Sequence, residues 1–183
     1  MENVISLKIK SLCGLKQMGL IIEPLPPAAE IDGLTTVTLR YEIMYRLHAA
    51  GIKVLPLGSV EDSNITFLYV NVNLLRTRIG LYAYSSRVAL KQTLFMLREP
   101  AQEFCAATWE VAQVGTVGVN RVTTLVDKVC EQIDEFIADY LAANSCRKAA
   151  NSCSEKALTL AAPRRRTFPP QPYQLRLEAG LFT

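Results

Sequence analysis

Histidine is almost missing from this chain, with His48 the only one among 183 residues. The five cysteines, Cys13, Cys105, Cys130, Cys146 and Cys153, show no C-x-x-C spacing. With one histidine and scattered thiols no common zinc ligand set assembles locally, so no metal and no cofactor is expected. An odd cysteine count spread over strand, helix and tail reads as reduced thiols, or one accidental pair, with small apolar fillers and tail residues the first reading. No run of roughly 18 apolar residues is present to cross a membrane as a helix. G-x-S-x-G, H-E-x-x-H and P-loop signatures are absent as well. Ser85 and Ser86 have no identifiable base, and His48 has only Met44 and Ile52 at four-residue spacing. No catalytic residue is therefore assigned, and the chain is read as a non-enzyme.

Positive charge is scarce where a nucleic-acid binder would need it. Met1–Ala143 carries 13 lysines and arginines against 15 aspartates and glutamates, whereas Asn144–Thr183 carries 7 against 2. The basic character belongs to the tail, and a whole-chain argument for nucleic-acid binding fails. The N-terminal "MENVISLKIKSLCGLKQMGL" has lysines inside its apolar run and no small-residue cleavage site, so it is a poor signal peptide. As written the chain reads as cytoplasmic, and as periplasmic or secreted if a leader precedes Met1.

Half of the residues are hydrophobic, enough for a packed core in one domain. "MGLIIEPL" reads as a strand over Gln17–Glu23, and "PLPPAAEIDG" as a loop. "TTVTLRYEIMYRLHAAG" reads as a helix capped by Thr35 or Thr36, with Leu39, Ile43 and Leu47 at helical spacing and Gly51 as its stop. "IKVLPL" is a strand confined to an edge by Pro56, and "GSVEDSN" and "REP" are connecting turns. "EFCAATWEVAQV" is a strand with Ala107, Trp109 and Val111 on one side. "GTVGVN" reads as a turn first and an anion-binding loop a distant second. Asn120–Leu141 is an amphipathic helix capped by Asn120. Its acidic Glu131, Asp134 and Glu135 read as solvated helix charge.

The most informative stretch is "YVNVNLLRTRIGLYAYSSRVALKQ", two strands with polar letters on every second residue. A three-residue loop at Thr77–Ile79 opposes Leu74 to Tyr82, Val72 to Tyr84 and Leu68 to Val88, and keeps one face apolar throughout. The other face then pairs Tyr69 with Arg87, Asn71 with Ser85 and Asn73 with Ala83. A solvated face explains this pattern first. A protein-binding face comprising Tyr69, Asn71, Asn73, Arg76, Arg78, Ser85 and Arg87 comes second. A nucleic-acid surface built on Arg76, Arg78, Arg87 and Tyr69 is the third reading.

The element order is β-α-β-β-β-β-α. Two helices cover one face of a mainly antiparallel sheet of four or five strands, giving an α+β two-layer sandwich. The ordered core is expected over residues 14–143 of a single domain, 1–143. Residues 144–183, with an arginine triplet and "FPPQP", read as a disordered extension or a translation artefact.

"GLIIEPLPPAAEIDGLTT", "AAGIKVL", "LYVNVNLLRTRIGLYAYSSRVALKQT", "ATWEVAQVGTVG" and "IDEFIADYLAAN" together resemble an uncharacterised family of small, usually exported bacterial proteins. The element order is loosely similar to that of envelope accessory domains, the N-terminal domain of TolB and the lipoprotein that plugs the lipopolysaccharide translocon. The resemblance implies an accessory module of the cell envelope that binds a protein partner through an open sheet face or edge. It carries no functional residues with it.

Overall fold

The computed structural model of the protein describes residues 7–56, 66–95 and 102–154, with side chains as far as 145. The turns read at "GSVEDSN" and "REP", and the tail from residue 155 onward, fall outside the described residues. Among the described residues the chain runs through α1 (Leu7–Lys10), β1 (Gln17–Ile22), α2 (Pro27–Ile31), α3 (Thr36–Ala49) and β2 (Lys53–Val54). It continues through β3 (Phe67–Arg76), β4 (Leu81–Phe95) and β5 (Glu103–Gly118), then a 3-10 segment (Val119–Thr124) and α4 (Leu125–Ser154).

The fold is α+β, with one open five-stranded sheet in the order β2-β1-β3-β4-β5. The sheet is mixed: β1 runs parallel to both β2 and β3, while β3, β4 and β5 form an antiparallel meander. Alternation along the strands sends one set of side chains inward. Leu68, Val70 and Val72 of β3, Tyr82, Val88 and Leu90 of β4, and Trp109 of β5 are all buried. They share one core with Leu39, Ile43 and Leu47 of α3 and with Val129, Ile133 and Phe136 of α4.

The α3 helix is set locally. Thr35 Oγ1 accepts the Thr38 N–H at 3.1 Å, satisfying one of the free first-turn donors. At the other end Gly51 sits at φ 73°. Its N–H reaches the His48 carbonyl and the Ile52 N–H the Leu47 carbonyl, both at 2.9 Å. This double closure needs a left-handed residue, and it is sealed by the buried pair Leu47 and Ile52. The chain therefore leaves α3 directly into β2, which Pro56 follows after two residues.

Several features depart from expectation. "PLPPAAEIDG" contains the short helix α2, with Pro27 in its first turn, where a missing N–H costs nothing. The "GTVG" stretch belongs to β5 and is neither a turn nor a helix N-terminus. A β-carbon on Gly115 would lie 2.9 Å from the Tyr84 hydroxyl oxygen, so glycine there lets the ring lie against the strand. The last helix begins at Leu125 after a 3-10 turn, not at Asn120, and continues to Ser154. Finally, the bulge at Leu90/Lys91 pairs Leu90 with Trp109 but Lys91 with Ala107. Thr108 is the extra residue, so Ala107 turns away from the side of Trp109 and is exposed.

Asn144 is a fastening point of the fold. Its side chain accepts the Gly14 N–H at 2.9 Å and donates to the Leu12 carbonyl at 3.1 Å, while the Tyr140 hydroxyl donates to the Leu15 carbonyl. Together they hold the segment after α1 against α4, with Leu12 fully buried.

Candidate functional site

The hairpin between β3 and β4 decides which side chains meet. Leu74 pairs with Tyr84, Val70 with Val88 and Leu68 with Leu90, a register two residues from the expected one. The loop is three residues long, but it is Arg78–Gly80 and not Thr77–Ile79. Thr77 N–H bonds the Leu81 carbonyl at 2.8 Å, and Gly80 takes the left-handed position at φ 76°. Moving the loop by one residue changes the register by two, so every side chain keeps its face and only its opposite number changes. Tyr69 faces Ala89, Asn71 faces Arg87 and Asn73 faces Ser85.

Five of the seven candidate residues, Tyr69, Asn71, Asn73, Ser85 and Arg87, therefore share the open face. Arg76 does not. It pairs with Tyr82 on the helix side, where its guanidinium lies 3.6 Å from Asp32, the same carboxylate that accepts the Tyr82 hydroxyl at 2.7 Å. Arg78 is exposed in the hairpin loop. The surface of Arg76, Arg78, Arg87 and Tyr69 is thus divided between two sides of the sheet.

On the open face the polar groups are engaged with one another. Parallel pairing of β1 and β3 brings Glu23, just past the end of β1, alongside Asn71. Tyr69 donates its hydroxyl to one oxygen of Glu23, and the Asn71 amide donates to the other at 2.5 Å. Asn73 in turn donates to the Asn71 amide oxygen at 2.5 Å. The hydrogen bond to Glu23, then burial, holds the Tyr69 phenol above its ordinary pKa. Lys91 places its ammonium 3.9 Å from the Tyr69 ring centre, a cation–π contact. Arg87 forms an ion pair with Glu110 of β5. No local signal in the sequence places Glu23 or Glu110 beside these residues, because nothing local says which strand lies beside which.

The edge of the sheet is less engaged. β5 is sixteen residues long and, among the described residues, pairs only with β4. Among the described residues its outer side carries one further contact, the Ser11 hydroxyl on the Thr108 carbonyl at the bulge. Past the bulge, Trp109–Gly118 holds no proline, lysine or arginine, the residues that commonly blunt an edge. Val114 is 78% exposed, and Leu75, on the same open face toward the hairpin end, is 70% exposed. Beside the edge a cleft of about 220 Å³ opens between β5 and α4, lined by Val111, Ala112, Gln113, Glu131, Gln132 and Glu135.

No protein-family model and no curated protein matches the chain. Among solved structures it is weakly similar to a minor lipoprotein from Acinetobacter baumannii, at 13% identity and a TM-score of 0.19. That match covers 82% of this chain and 99% of the other. An overlay this loose carries no argument about function. Among the described residues, no helix is long and apolar enough to cross a membrane.

Proposed function

We propose that the chain is a non-enzymatic accessory module of the bacterial cell envelope that binds a protein partner by strand addition along β5. The observation that carries this reading is the long outer edge of β5, whose backbone groups past the bulge face no other strand among the described residues. Unpaired strand edges bind extended segments through main-chain hydrogen bonds, with side-chain pockets supplying selectivity. The open face is the weaker candidate because its carboxylates, amides and Arg87 already satisfy one another. Among the described residues one thiol is buried, Cys130, and burial pushes its pKa up against the opposing pull of Arg46, which makes it a poor nucleophile. The envelope setting rests on the sequence resemblance alone.

The test is affinity capture from envelope fractions of the cells that make the protein. Three baits are compared: the wild type, Val114→Lys on the edge, and Asn71→Ala with Arg87→Ala on the face. A specific protein retained by the wild type and the face variant, and lost with Val114→Lys, is the expected result. Loss on the face variant alone would move the site to the open face, and retention by all three baits would rule out both surfaces.

A further inference from the structure

We propose that the segment added at β5 carries a lysine or arginine opposite Gln113, and that its cation enters the cleft between β5 and α4. This inference rests on the edge-binding reading and specifies the chemistry of the partner.

In the ladder Val72 pairs with Ser86 and Ser86 with Gln113, so a row that is apolar on β3 becomes polar toward the β5 edge. Gln132 of α4 lies over this row, 4% exposed, and its amide nitrogen donates to the Ser86 carbonyl at 3.4 Å. That bond fixes the orientation of the amide, because the reverse orientation would set two oxygens against each other. Among the described residues the amide oxygen of Gln132 is buried and has no partner, and the same is true of the Ser86 hydroxyl, which can also accept. A buried acceptor without a donor is costly, and such groups call for a specific explanation.

Gln132 lines the cleft together with Glu131 and Glu135. Lys128 occupies both oxygens of Glu131, and Lys8 occupies one oxygen of Glu135. Among the described residues no donor meets the second oxygen of Glu135 or the amide oxygen of Gln132. Residues that pair across a ladder point to the same side of the sheet. A residue opposite Gln113 on an added strand would therefore extend its side chain toward the helix layer, into this cleft. An ammonium or guanidinium brings donors and no acceptor, the complement of what the cleft offers. Its long aliphatic stem would lie along Val111 while the charged head reaches Glu135.

The test uses the full chain and three labelled, end-blocked nonapeptides of alternating threonine and valine, with lysine, norleucine or glutamate at the central position. Affinities are read by fluorescence anisotropy, and the binding site by backbone amide shifts. We expect shifts along Val111–Gly115 and the lysine peptide bound about three- to tenfold more tightly than the norleucine peptide, the range of a partly exposed, charge-assisted contact. The glutamate peptide should bind most weakly. Glu135→Gln and Gln132→Met should each reduce the ratio of lysine to norleucine affinity, with circular dichroism and the amide spectrum showing that both variants are folded. If lysine and norleucine peptides bind equally along β5, the cleft inference is overturned and edge binding stands. If no peptide shifts β5, both are overturned.

Discussion

The two edges of the sheet are treated in opposite ways. β2 is two residues long, carries the exposed Lys53, and is closed by Pro56. It offers almost no backbone to another chain, which is how natural sheets commonly protect an edge. β5 is eight times as long, and past its bulge it has no proline and no basic residue. The difference lies in where each strand gains its stability. β2 is held as the continuation of the α3 turn through Gly51 and Ile52. β5 is held by its inner face, where Trp109 sits between Lys8 and Phe136 and donates its indole N–H to Asp139 at 2.8 Å. A strand anchored from inside can leave its outer side unpaired.

The strongest test of that contrast removes the anchor. Trp109 is 1% exposed, and Trp109→Ala should cost about 3–5 kcal/mol in urea unfolding, as large core truncations do. Val54→Ala on half-buried β2 should cost about 1 kcal/mol or less. Equal losses at the two strands would show that β5 is held by its ladder to β4 and not by its inner face.

A smaller effect tests the hairpin end, next to the central strand. Burial first, then the hydrogen bond to Asp32, raises the Tyr82 pKa above its ordinary 10.0. Because the folded value lies above the unfolded one, this contribution is complete below pH 10 and is lost as pH rises through the folded value. Tyr82→Phe should therefore cost about 1 kcal/mol near neutrality, and its stability should fall less steeply than that of the wild type above pH 10. Urea midpoints at pH 8, 10 and 11 read both effects. Parallel alkaline slopes for the two proteins would contradict the buried, hydrogen-bonded phenol.

Much of this was legible in the sequence, and the rest shares a common cause. The period-two pattern of β3 and β4 fixed which residues face the core, and the loop length was right. The pairing still slipped by two, because Arg78–Gly80 and Thr77–Ile79 give the same faces and Gly80 alone discriminates them. Thr35 and Gly51 marked the ends of α3 because caps are local. By contrast, the parallel placement of β1 beside β3, which brings Glu23 to Tyr69, depends on the whole chain and has no local signature. The same holds for the Ser11 and Asn144 contacts. "GTVG" has the letters of a turn, yet Gly115 serves to make room for a ring from the next strand. Arg76 ends a strand on the inward parity, where its ion-pair partner is Asp32, distant in sequence.

The smallest expected change in stability gives the sharpest contrast between the edges. Val114→Lys gives β5 the kind of residue that β2 already has in Lys53. Val114 is largely exposed, so the substitution should alter stability by no more than about 0.5 kcal/mol. It should nevertheless slow aggregation on heating, because a lysine must be desolvated before another strand can lie alongside. Light scattering during a thermal ramp measures this, with reductant present because Cys13 and Cys105 are exposed. The reciprocal Lys53→Val should leave the aggregation rate nearly unchanged, since two residues of β2 are too short a template for pairing. If Lys53→Val accelerates aggregation as much as Val114→Lys slows it, exposed apolar surface and not the length of the free edge governs association, and β5 loses its claim to be the docking strand.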